Sequence, residues 1–532
     1  MAPARDIVII GGGHNALVTA FYLARKGAKP LVLERRAIVG GAAVTEEFHP
    51  GFRCSTVAHA GGPPLSAIVE DMQLARHGLE RLESPVRIFA PLPDGRALTL
   101  FTDAQRSSAE IAKFSAKDAL QYPEFQASLA RIAAILAQVL TLTPLTIEKP
   151  SGEDVWKLFK VGKKLRGLGK KEMMRLIRWG PMAAADFVAE FFETDLLRAM
   201  VAARGIFGAA LGPWSAGSTA LLLLRAASDP SPVGNSAVPR GGMGALTAAM
   251  ASAAKSAGAE IRTGAEVAQI IVKKGVATGV ALSTGEEIAA KKVVSGADPH
   301  RTFLGLLDPV HLPPSFVVKM QHYRSQGNVA KLNLALDALP DFVALRDSPD
   351  AKSALAGRIH IGPGIDYLER AFDHSKYGEF SPAPYLDISI PTILDSTLAP
   401  AGKHVMSICM QFAPRQLKNS DWSQPQQRES LRDAILHTLS AYAPDLSNKI
   451  LAQQLLTPLD LENIYGLSGG HPFHGELALD QIFTMRPILG WARYRTPIQG
   501  LYLCANGTHP GNGVTGISGH NAAREILKDL RK

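Results

Sequence analysis

Residues 6–10 read DIVII, a short β-branched run that predicts a buried strand. Gly11-Gly-Gly-His-Asn-Ala16 follows without a break, with small residues at its first, third and sixth positions. The next stretch, LVTAFYLARKG, predicts a helix with Gly27 as its C′ residue. Residues 30–34 (PLVLE) predict a second strand ending on Glu34, 21 residues after Gly13. Each part has a physical job. Gly11 permits a tight turn, Gly13 lets the backbone approach a pyrophosphate, and Ala16 allows helix and strand to pack closely. The helix N-terminus, at Asn15 and Ala16, offers free N–H groups to the phosphates. Glu34 can accept both hydrogen bonds of a ribose diol. A glycine pattern alone is weak, but strand, glycine turn, helix, strand and acid in register predict a dinucleotide-binding unit.

Glu34 runs into Arg35-Arg-Ala-Ile-Val-Gly40-Gly41-Ala42-Ala43-Val-Thr45. The glycine pair brings backbone N–H groups to a second stretch of diphosphate, an arm that a nicotinamide site does not need. A second glycine-rich strand-to-helix junction, GLYLCANGTHPGNGVTGISG, occupies residues 500–519. No further strand and acid follow it, so it is not a second dinucleotide fingerprint. Residues 239–246 (PRGGMGAL) precede a small-residue helix over 247–257, and 293–299 (VVSGADP) read as a strand and turn returning to the nucleotide unit.

The segment ERRxxxGGAAxT resembles the double-glycine motif of FAD-dependent oxidoreductases of the glutathione-reductase and amine-oxidase type. With GGGHNALVTAFYLARKG, PRGGMGAL, SGADPHRTFL and GLYLCANGTHPGNGVTG, the chain resembles their phytoene-desaturase-like branch. DMQLARHGL, STLAPAGKHVMS and the stretch from LLTPLDLENIYGLSGG to FTMRP narrow the likeness to a subgroup named for a pyridine nucleotide-disulfide oxidoreductase domain. The resemblance implies an α/β fold: a Rossmann-like FAD-binding domain with an inserted mixed α/β substrate domain and a helical subregion. The boundaries it implies are 1–75, 236–300 and 490–532 for the FAD domain, and 76–235 with 301–489 for the substrate domain.

FAD is the implied cofactor. Gly11, Gly13, Asn15, Ala16, Gly40, Gly41, Ala42 and Ala43 are expected on its diphosphate, Glu34 and Arg35 beside the ribose, and Val267 at the adenine through its backbone. Asn506, Gly507, Gly513 and Val514 are expected to cap the flavin. The helix after this junction can turn its positive end to the pyrimidine edge of the ring. The three cysteines, Cys54, Cys409 and Cys504, form no CxxC pair, so dithiol–disulfide chemistry has no support despite the subgroup's name.

His474, His509 and Arg486 are the candidate catalytic side chains, with His59 a weaker one at the cavity. His474 can move a proton, His509 can contact the flavin or order its loop, and Arg486 can hold a substrate carboxylate or the flavin, or pair with Asp480. The HxxHxE spacing of His471, His474 and Glu476 invites a metal reading, but a third imidazole ligand is missing nearby and the glycines predict a loop, so no metal is expected.

The net charge of +9 over 532 residues narrows on inspection. Residues 156–179 hold nine Lys and Arg against Glu172, a net of +8; the rest has 48 basic and 47 acidic residues. Within the basic helical segment 153–180, Leu158, Val161, Leu165 and Leu168 keep helical spacing with lysines on the flank. Three uses fit it: a solvated helix with its stripe in the core, peripheral contact with an anionic membrane, or a protein or homo-oligomer contact. No nucleic-acid-binding motif accompanies the charge. The cysteine usage and the lack of a secretory signal lead us to expect a cytoplasmic protein, membrane-associated if the basic segment meets lipid, or one of the mitochondrial matrix in a eukaryotic source.

The activity that the resemblance implies is hydride transfer between flavin N5 and a carbon of an apolar polyene, isoprenoid or acyl-like small molecule, in the desaturase or saturase direction. Oxygen, a quinone or a transient nicotinamide stays open as electron partner. A flavin-dependent isomerase or hydratase, or a non-catalytic interaction protein on the same fold, are the alternatives.

Overall fold

The computed structural model describes residues 5–58, 65–145, 152–234 and 237–531. Strand β1 (Arg5–Ile10), helix α1 (His14–Ala24) and strand β2 (Pro30–Leu33) form where the β-branched run, the glycine turn and the second apolar run place them. β1 and β2 lie parallel at the centre of a seven-stranded sheet. Strand Glu260–Arg262 extends it beside β2, and strand Glu287–Ser295 pairs with β1 on the other side. Strand Leu501–Leu503 adds a last parallel strand to Glu287–Ser295. Val267–Lys273 and Val276–Leu282 continue the sheet as an antiparallel meander.

Alternation along the strands gives this sheet two buried faces. Ile7, Ile9, Val32 and Val294 pack against α1, helix Met243–Ser256 and helix Ile517–Leu530. Val8, Leu31, Leu33 and Val293 turn the other way, toward Val267, Ile270 and Val280. Segments far apart in the chain therefore share one core.

The second seven-stranded sheet runs Ile450–Leu456, Val329–Leu336, His404–Gln411, Leu386–Ser389, Arg358–Ile361, Val86–Pro91 and Ala97–Phe101. One face is apolar: Leu332, Leu334, Ile359, Ile361, Ile388 and Ile408 join Leu431, Ile435 and Leu439 of helix Pro425–Ser440 in one cluster. The opposite face is polar yet buried and looks toward the nucleotide end. Beside it, helices Ala116–Leu140, Asp195–Ile206 and Ser218–Ala226 form a helical subregion with its own apolar core.

The basic segment folds as helices Gly152–Gly167 and Gly169–Trp179. Val161, Leu165 and Leu168 are half-buried; the Leu158 side chain lies outside the described residues, as does His59. Glu172 is buried and accepts from Ser128, Arg131 and Arg175 at 2.7–3.1 Å. The two tryptophans differ: Trp179 packs in the core at 1% exposure, whereas Trp156 is 56% exposed.

Candidate active site

One cleft runs from the glycine turn to the polar face of the second sheet, with about 2090 Å³ between its walls, mouth included. Gly11, with φ +83°, makes the turn after β1 in a conformation that favours glycine. Gly13 caps α1 in extended backbone, no side chain caps the helix, and its first turn carries no acid. Those N–H groups and the positive end of the helix are left to an anion. A Cβ built on Gly13 meets nothing within 4 Å; it points into open cleft.

Gly40 lies beside Gly13 as a parallel bridge, and its N–H donates to Gly12 O at 2.9 Å. With φ +127° and Ala43 O only 2.6 Å from where a Cβ would sit, position 40 admits only glycine. Glu34 is buried, its Oε2 accepting the Gly12 N–H at 2.7 Å and its Oε1 the Arg36 N–H at 2.9 Å. Gly12, which the sequence pattern leaves as a spacer, thus fixes the acid. Gly11, Gly13, Asn15, Ala16, Glu34, Arg35, Gly40, Gly41, Ala42, Ala43 and Val267 all line the cleft.

The C-terminal junction closes the other side of the turn. The Asn15 Nδ2 donates to Asn506 Oδ1 at 2.9 Å, and the Gly519 N–H donates to Asn15 Oδ1 at 3.2 Å. A Cβ on Gly519 would stand 2.1 Å from Asn15 O, so the two helices meet backbone to backbone. Asn506, Gly513 and Val514 line the cleft. Gly507 does not: it packs against Pro299, with no room for a Cβ. Nor do the first residues of helix Ile517–Leu530 line it. Asn512, Gly513 and Val514 of the preceding loop line it, and a Cβ on the cap, Gly516, would lie against Ile68 and Val18.

The candidate catalytic side chains separate. His474 lines the cleft, is held at φ +60°, and its Nδ1 has no hydrogen-bond partner. A non-glycine residue in that region costs about 1–3 kcal/mol, so the surrounding structure imposes it. Burial pushes the His474 imidazole down to about 4, so it is neutral at pH 7. His14 faces the same region, its Nε2 3.1 Å from Gly513 O, and burial lowers it to about 4 as well. His471 is turned elsewhere, with Nε2 3.5 Å from Glu476 and Nδ1 accepting from the Phe473 N–H.

His509 and Arg486 are corrections. His509 is buried against the end of helix Ala116–Leu140, its Nε2 3.3 Å from Val139 O and its ring edge-on to Phe483; it does not line the cleft. Arg486 is fully buried, and its guanidinium donates to the carbonyls of Phe473, Gly475, Glu476, Gln481 and Asn506. With these donors engaged it ties the 473–481 loop to the C-terminal junction and cannot receive a carboxylate. It makes no ion pair with Asp480, which binds Arg324 at 2.6 Å.

The substrate side of the cleft was not legible as a motif, and it departs from the expected apolar chamber. Phe207, Phe473, Val329, Leu461 and Leu467 provide apolar wall, but Lys331, Arg358, Arg204 and Arg225 line it too, with Asp387 and Asp229. Lys331, Cys409 and Asp387 stand side by side on three neighbouring strands. Arg358 pairs with Asp387 at 3.0 Å, and Arg204 with Asp229 at 3.4 Å. Burial lowers Arg204 to about 10 and Arg225 to about 9, and Arg204 adds repulsion to the latter; both stay charged at pH 7. The three cysteines are free and buried, and burial raises each thiol to about 12.

The sequence profile of the flavin-containing amine oxidoreductases matches residues 17–527. The chain belongs to this family. Among its relatives, the Rattus norvegicus pyridine nucleotide-disulfide oxidoreductase domain-containing protein 2 is 35% identical over all of this chain and 94% of its own length. A limonene dehydrogenase subunit of Castellaniella defragrans is 28% identical, over 99% of this chain and 95% of its own. A Methanosarcina mazei oxidoreductase of known structure shares the fold, with a TM-score of 0.60 at 16% identity, covering 99% of this chain and 100% of that one. As a flavin-containing amine oxidoreductase the chain is an FAD protein. The uncapped α1 terminus, the open space at Gly13 and the anchored carboxylate of Glu34 fit that dinucleotide and would be its donor, room and acceptor.

Proposed function

We propose that this protein is an FAD-dependent dehydrogenase that moves a hydride to or from a carbon of a substrate with an apolar, acyl- or isoprenoid-like chain. What carries this reading is the single cleft that joins the dinucleotide fingerprint to the second sheet, with Phe207, Phe473, Val329 and Leu467 in its wall. FAD, when bound, supplies the hydride acceptor or donor. The chain supplies the rest. Asn15, Ala16 and Gly41 present backbone at the diphosphate, and Glu34 takes the ribose. The aromatic pair excludes water from the reacting carbon. Neutral His474 offers a proton or a lone pair at the cleft without adding charge. The dehydrogenase named among the relatives supports the direction of the reading.

The test is anaerobic mixing of the flavin-loaded protein with saturated and unsaturated chains. Loss of the flavin's blue-light absorption with a saturated chain supports dehydrogenation. A fully loaded enzyme that no chain bleaches or reoxidises refutes it.

A second proposal concerns location. Val155, Trp156, Phe159, Met174 and Ile177 are 53–66% exposed on the basic helices. Aromatic and aliphatic side chains among lysines favour an anionic membrane surface. Among the described residues, no helix is long and apolar enough to cross a membrane.

A further inference from the structure

The polar face of the second sheet is an unusual thing to bury. Successive inward positions on its strands are Lys331 and Asn333, Ser407, Cys409 and Gln411, Asp387 and Ser389, Arg358 and His360. Part of this face is self-satisfied. The Lys331 Nζ donates to Ser407 at 2.6 Å, Ser407 to Asn333 at 2.8 Å, and Asn333 to Gln454 at 3.0 Å. Gln411 clamps the backbone of Ile206, Gly208 and Ala209.

The charges at the second-sheet end of the cleft are not balanced. Four cations line it, Lys331, Arg358, Arg204 and Arg225, against two carboxylates, Asp387 and Asp229. Arg358, Asp229 and Arg204 converge on Gly234, where a Cβ would lie 2.9 to 4.0 Å from all three. Arg225 donates to the carbonyls of Arg204 and Phe207, and among the described residues no carboxylate lies within ion-pair distance of it; the buried Glu476 carboxylate offsets part of its charge from farther off. Carbonyls satisfy hydrogen-bond geometry but cancel no charge. Its guanidinium also lies over the rings of Phe207 and Phe473, which form the apolar wall. Buried cations in excess of their carboxylates are costly unless an anion joins them, and arginine suits oxyanions in particular.

We propose that this chamber seats an oxyanion borne by the substrate, a carboxylate or a phosphate ester, with Arg225, Arg204 and Lys331 around it and the apolar chain along Phe207 and Phe473. The proposal rests on the dehydrogenase reading above and adds the head group that the chain carries. It turns the expected apolar ligand into an amphiphile whose charged end fixes which carbon reaches the flavin.

The experiment titrates the flavin-loaded protein with decanoate, decyl phosphate and decanol, following the flavin difference spectrum. The expected result is saturable perturbation by at least one anion, with an apparent Kd about tenfold or more below that of decanol, as loss of one charged hydrogen bond implies. The tighter of the two anions identifies the head group. Arg225→Gln should weaken the anion about tenfold and leave decanol unchanged, with Arg225→Lys in between. Equal affinity for all three probes in the wild type overturns the proposal, and needs no variant to fold. An Arg225→Gln protein that keeps its anion affinity but shows a lower flavin midpoint potential also overturns it, by reassigning the charge to the reduced flavin. A protein that takes up no FAD strikes at the dehydrogenase reading instead; a loaded protein blind to charge strikes only at this one.

Discussion

The backbone N–H of Gly12 donates to the Oε2 of Glu34 at 2.7 Å, so the turn expected at the diphosphate also aims the acid expected at the ribose. Glu34→Gln keeps the shape and removes the charge. Hydrogen bonds to a charged partner are worth about 1.5–3 kcal/mol, so FAD affinity should fall roughly 10- to 100-fold. Equilibrium release of flavin fluorescence measures it, and an unchanged Kd contradicts the ribose assignment.

Gly13 and Gly40 separate binding from folding. A methyl at Gly13 enters open cleft, so Gly13→Ala should leave the melting temperature of the FAD-free protein within a few degrees and still reduce FAD uptake. A methyl at Gly40 meets the Ala43 carbonyl, Thr247 and Val44 in a backbone conformation that side chains avoid. Gly40→Ala should destabilise the FAD-free protein by about 2 kcal/mol or more. Calorimetry of both FAD-free variants decides, and the same loss in each would contradict the partition.

Acid sensitivity has a defined window. Burial lowers His14, His360, His474 and His509 to about 4 in the folded protein. The unfolded value is about 6.5. Between these limits the unfolded chain binds protons that the folded chain refuses, so stability rises with pH and is lost as pH falls from about 6.5 toward 4. Melting temperatures should be flat above neutrality and drop through that window. His360→Asn, remote from the glycine turn, should make the drop shallower; a slope that begins only below pH 4.5 would assign it to carboxylates.

Membrane contact has its own readout. Wild-type protein should float with vesicles containing anionic lipid and stay behind with neutral ones. The Trp156→Ser/Phe159→Ser pair removes two exposed rings without touching the lysines, and should cut partitioning about tenfold. Equal recovery on both vesicle types counts against the membrane proposal.

The nucleotide end was legible because its parts are contiguous: strand, turn, helix, strand and acid fit within 30 residues, and local chemistry decides each. The chamber was not. Lys331, Asp387 and Arg358 meet through strand register, and no local pattern tells which strands pair. Their one visible trace is period two, with single polar residues at alternate positions of apolar strands, as in VAKLNLAL. His509 and Arg486 show the opposite failure. Their residue types invite chemistry, but burial and backbone carbonyls decide their work, and both are invisible in a string of letters.

Asn15 and Thr19 of the first helix both bond to Gly519 of the last, Asn15 also bonds to Asn506, and strand Leu501–Leu503 completes the sheet begun at Arg5. About 470 residues separate β2 from that strand. The whole second sheet is therefore synthesised between the first βαβ unit and the segment that walls its cofactor turn. A message cut short anywhere before Asn506 yields a protein that lacks one wall of its flavin site, so holding the yellow cofactor reports that translation passed that junction.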